Sequence, residues 1–135
     1  MKLLPPELAA VLRANCDAHR SAQAEGRAEP DPRPVLKLFN PVGAATWLAT
    51  ELAKDGDTLF GLADLGFGCP ELGNFSLREI AGVRLPFGLS IERDLHFATD
   101  KPLSAWADMA RGKGAIFLAE FEFRRDAASK LPRRK

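Results

Sequence analysis

"VLKLFNPVGAATWLATELAKDGDTLFGLADLG", residues 35–66, decides the fold. It contains three runs rich in β-forming residues, 35–39, 45–52 and 58–66, separated by "NPVG" and "KDGD". Asn and Asp side chains bond their own backbone, Pro presets φ and Gly supplies positive φ, so both gaps read as chain reversals. Parallel strands need a crossover of roughly a dozen residues, so connections this short predict an antiparallel meander. In the second run Thr46, Leu48, Thr50 and Leu52 share one face, and Trp47, Ala49 and Glu51 share the other.

The third run leads into "DLGFGCPELG", residues 64–73. Its first glycines invite comparison with phosphate-cradling loops, but a dinucleotide fingerprint needs a third glycine three residues after the second, opening a crossover helix. Here the glycines fall at 66, 68 and 73 with Pro70 between the last two, and no Gly-Lys-Ser/Thr follows. Asp64 and Glu71 would also set negative charge where phosphate should sit. The stretch therefore reads as a tight turn after the third strand, in which glycine supplies backbone freedom.

Outward from this centre, Leu8, Val11, Leu12 and Cys16 recur at helical spacing between Pro5 and about Ala24, predicting an amphipathic N-terminal helix. "GRAEPDPRP" (26–34) is an extended connector, because its prolines exclude helix interiors and central strands. "SLRE" (76–79) matches a capping box before a short helix ending near Val83. "LSIERDLHF" (89–97) alternates as a strand, and "KPLSAWADMARGKG" (101–114) reads as a helix with Pro102 near its start and Gly112 or Gly114 past its end. "AIFLAEFEF" (115–123) alternates again, with Phe117, Ala119, Phe121 and Phe123 on one side. A final strand is expected there, with a helix using Phe117 and Phe121 as the alternative. Together these elements predict an α+β fold over residues 1–123, an antiparallel meander of four to five strands packed against the N-terminal helix and a later helix.

The 135 residues are 46% hydrophobic and 27% charged, with ten prolines. A single domain of this length buries about two-thirds of the surface of its unfolded chain. No apolar stretch approaches the ~20 residues needed to cross a bilayer, and "MKLLPPEL" contains no secretory apolar core. The expected compartment is the cytoplasm, where Cys16 and Cys69 remain thiols. Residues 124–135, "RRDAASKLPRRK", carry +5 of a net +1, which leaves −4 on residues 1–123. Arg124, Arg125, Lys130, Arg133, Arg134 and Lys135 thus form a basic C-terminal tail that would give weak, sequence-blind contact with nucleic acid.

Chemistry-bearing side chains concentrate in "IERDLH". On a strand Glu92, Asp94 and His96 would project from one face, a donor set suited to a divalent ion, with help from Asp64 or Glu71. Residues i and i+4 on a strand lie more than ~13 Å apart, however, so Glu92 and His96 would not share one ion. Serine, cysteine and histidine occur without a nucleophile elbow. No catalytic residue, bound metal or cofactor is therefore expected.

"LLPPEL", "VLKLFNPVGAATWLATEL", "FGLADLGFGCPELGNFSL", "IERDLHF" and "KPLSAWADMAR" resemble a domain-of-unknown-function family of small bacterial proteins, over about Leu3 to Arg111. The resemblance implies an accessory protein of plasmids, conjugative elements and other mobile DNA, a setting shared with anti-restriction and DNA-maintenance genes. It assigns no catalytic residues. The expectation is a non-enzymatic interaction protein with a protein partner, countering a host defence complex or accompanying DNA transfer. The alternative is a metal-assisted hydrolase or nuclease centred on Asp94 and His96.

Overall fold

The computed structural model describes residues 3–129. Helix α1 (Pro6–Ala24) is followed by strands β1 (Leu36–Phe39), β2 (Thr46–Leu52), β3 (Thr58–Asp64) and β4 (Glu71–Ser76), the short helix α2 (Leu77–Ala81), a two-residue strand β5 (Glu92–Arg93), and helices α3 (Leu103–Lys113) and α4 (Ile116–Ser129). The strands form one antiparallel sheet ordered β4-β3-β2-β1-β5. The fold is α+β, as the β-runs and turns predict. Among the described residues no helix is long and apolar enough to cross a membrane.

Both faces of the sheet are covered. Trp47 and Ala49 of β2 and Leu59 of β3 pack with Leu12 of α1, whereas Leu48 of β2 and Leu62 of β3 pack with Trp106, Ala110, Ile116 and Ala119 of α3 and α4. Neighbouring residues of a strand point to opposite sides, so α1 lies on one face and α3 with α4 on the other. Gly61, at the centre of β3, has no space for a side chain: a Cβ there would stand 1.8 Å from the Leu48 carbonyl oxygen.

A register shift between Ala49 and Glu51 makes Thr50 an extra residue in β2. Leu52 consequently packs with Trp47 and Ala49, not with Leu48 as strict alternation predicts. The Thr50 carbonyl accepts the Asn15 amide at 2.9 Å, so a polar side chain of α1 satisfies a backbone group at the irregularity.

Three segments differ from the sequence expectation. Residues 71–76 continue the sheet as β4, because pairing with β3 outweighs the weak strand preference of Gly73 and Asn74. Segment 89–97 is strand only at Glu92 and Arg93, paired with Phe39 and Leu38. Beyond it the Asp94 carboxylate accepts the His96 N–H at 2.9 Å, a local turn that replaces the ladder, so Glu92, Asp94 and His96 do not line one strand face. Residues 115–123 are helical, not a strand. Ile116 and Ala119 are buried and Phe123 packs on Trp106, while Phe117 and Phe121 face outward. The inward face thus follows a spacing of three and seven, different from the Phe117 and Phe121 stripe expected of a helix. α4 runs through the 123/124 boundary between the expected body and tail.

His19 of α1 contacts Glu51 of β2 at 2.9 Å and Glu29 of the connector at 3.3 Å. The hydrogen bond to Glu51 raises the imidazole above its ordinary 6.5, and burial only partly opposes it. A raised folded-state value means that the contribution is complete below the unfolded value and is lost as pH rises through the folded one. The destabilisation caused by His19→Gln is therefore expected to be larger at about pH 5.5 than at about pH 8.5 in urea titrations. An equal effect at both would contradict the ion pair.

Candidate interaction surface

Asp64, the last residue of β3, is 1% exposed. One carboxylate oxygen accepts the Gly66 N–H and the other accepts the Ile116 N–H, both at 2.9 Å. The first bond folds the β3–β4 connection back on its strand. The second caps the amide end of α4, where the helix dipole favours an anion. A residue expected in a polar site is thus a brace between a hairpin and a helix.

That brace sets three connections side by side. A Cβ at Gly66 would stand 3.2 Å from Ala44 Cβ in the β1–β2 connection, and a Cβ at Gly114, which ends α3, would stand 3.8 Å from the Gly68 carbonyl oxygen. Phe117 shares a cleft with Gly43 and Ala44. Gly66 (φ +91°) and Gly68 (φ +82°) adopt the left-handed region that a side chain would strain, and between them Phe67 is held 82% exposed. Leu65 on the same loop, Val42 on the β1–β2 connection and Phe117 at the start of α4 are exposed as well. Exposed apolar side chains gathered at one end of a fold mark a candidate interaction surface. Phe87 (φ +64°, 91% exposed) is also displayed outward, on the turn Pro86–Gly88.

The other residues singled out in the sequence are dispersed. Glu71 opens β4 and shares a shallow cleft with Cys69 and Arg111. Glu92 is exposed on edge strand β5. Asp94 faces the Lys37 ammonium at 3.3 Å. Burial pushes its carboxyl up, but the His96 amide and Lys37 outweigh this and hold it below the usual carboxylate range. His96 lies at the mouth of a separate cavity. Lys37 also meets both Glu120 oxygens, at 3.0 and 3.1 Å, an α4 contact invisible while 115–123 is read as a strand. Among the described residues no group of three or more His, Cys, Asp or Glu side chains is arranged to hold a metal ion. Arg124 pairs with Glu120 at 3.4 Å and Arg125 with Glu122 at 2.6 Å, so both cations have carboxylate neighbours on α4. Lys130, Arg133, Arg134 and Lys135 lie outside the described residues.

Asp64→Ala leaves the buried Ile116 amide and the part-buried Gly66 amide without their acceptor and is expected to cost about 2 kcal/mol in equilibrium unfolding. Asp64→Asn keeps one carbonyl acceptor and is expected to lose about half as much. A loss below about 0.5 kcal/mol for Asp64→Ala, the range of an ordinary surface change, would contradict the brace.

No curated protein and no solved structure matches this chain. A model of the family described as proteins of unknown function, DUF2958, matches residues 3–117. That span runs from the segment preceding α1 through the whole sheet to the first turn of α4, and the chain belongs to this family.

Proposed function

We propose that this chain is a non-catalytic interaction module that docks a protein partner through the apolar end formed by the β1–β2 and β3–β4 connections and the start of α4. The observation that carries the reading is Phe67, an aromatic side chain held in solvent by two left-handed glycines on a loop that Asp64 braces. Fixing the backbone of the loop that carries it lowers the entropy cost of association. Aromatic anchors ringed by smaller apolar side chains dominate the energetics of many interfaces. The resemblance to proteins of mobile DNA adds a setting: an accessory protein in the cytoplasm, acting on a host defence complex of the anti-restriction or anti-CRISPR type or accompanying DNA transfer.

A photo-crosslinking residue at position 67 of the full chain, expressed in the native host, tests this. The expected result is a discrete protein adduct that survives nuclease treatment and disappears when Leu65→Ser and Phe117→Ser are added, with thermal stability retained. The same adduct from a crosslinker at Asp17, on the outer face of α1, would overturn the reading, as would an adduct removed by nuclease.

A further inference from the structure

A cavity of about 610 Å³ opens between the 96–101 segment, α3 and the second half of α4. This volume falls within the range of small-molecule sites, roughly 300–1,000 Å³. Its wall is aromatic. Trp106 is buried between Phe97 (ring centroids 5.9 Å apart) and Phe123 (4.8 Å, edge-on). The Trp106 indole N–H is engaged by the Thr99 hydroxyl oxygen at 3.2 Å. The wall therefore offers π surface and apolar contact more than hydrogen bonds, which favours a flat ring.

The rim is charged and mixed. Arg33, Lys101 and Arg124 reach it from three separate segments, and the Lys101 ammonium stands 6.0 Å from the Phe123 ring centroid. Among the described residues neither Arg33 nor Lys101 has a carboxylate within salt-bridge distance. Both can accordingly meet an anion without first breaking an ion pair. Asp100 and Asp126 share the rim, which disfavours more than one phosphate within it and offers acceptors to amino groups. A flat ring bearing amino groups and a single phosphate matches wall and rim together.

We infer that this cavity binds a nucleoside monophosphate, either free or as the terminal nucleotide of a single strand. The ring lies against Phe97 and Phe123, the phosphate meets Lys101 and Arg33, and ring amino groups face Asp100 or Asp126. The site is independent of the apolar end, which lies at the opposite half of α4.

Calorimetric titration of the full chain with AMP, GMP, adenosine, inorganic phosphate and a 5′-phosphorylated tetranucleotide tests the inference. Saturable binding of AMP or GMP is expected, with adenosine about tenfold weaker and inorganic phosphate alone not competing. Lys101→Ala with Arg33→Ala should weaken monophosphate binding about tenfold or more while leaving the melting temperature unchanged, and Lys101→Arg should retain binding. Tighter and more salt-sensitive binding of the tetranucleotide identifies a strand end, and equal affinity identifies the free nucleotide. Absence of saturable binding up to about 1 mM would overturn the inference, as would binding indifferent to the double substitution.

Discussion

The carboxylate of Asp64 is buried at the meeting point of a hairpin and a helix, and it is held there by the amides of Gly66 and Ile116. A buried charge is tolerated when hydrogen bonds and a favourable dipole replace its lost hydration. The cost of leaving that carboxylate unsatisfied enforces the geometry: the loop must return to the strand and α4 must begin beside it. Phe67 is exposed as a consequence, since a loop fixed at Gly66 and closed at Gly68 has little freedom to fold its aromatic side chain inward.

The covered sheet limits where function can reside. α1 occupies one face, and α3 with α4 occupies the other. The Lys37 ammonium joins Asp94 and Glu120, which ties β1, the segment after β5 and α4 together on the second side. Two surfaces of the described residues left open by this covering are the apolar end at the β3–β4 connection and the aromatic cavity beside the second half of α4. Both depend on α4, the former through Phe117 and the latter through Phe123.

The meander was legible because its signals are local: β-rich runs, two turn sequences and a helical apolar period all lie within short windows. α1 and α3 were legible for the same reason. α4 was not, because "AIFLAEFEF" satisfies a two-residue period as well as a helical one. What decides it is long-range, the capping of Ile116 by Asp64 across 52 positions and the burial of Ala119 and Phe123 on α3. The row of Glu92, Asp94 and His96 failed for a local reason, since an Asp two residues before an amide can end a strand by bonding it. The glycine loop is a turn over residues 65–70, as its spacing predicts, whereas Glu71, Leu72 and Gly73 already belong to β4. The display of Phe67 was not foreseen, although the "GFG" triplet was its signal: glycines on both sides of an aromatic residue in a loop free that side chain from packing.

The account rests on the Asp64 brace, and native-state hydrogen exchange of the Gly66 and Ile116 amides reads it directly. The two amides should exchange slowly, with protection comparable to the paired amides of β2 and β3, and both should lose it together in Asp64→Ala while the β1–β2 ladder stays protected. Fast exchange at Gly66 and Ile116 in the unmodified protein, at the rate of open loop amides, would contradict it.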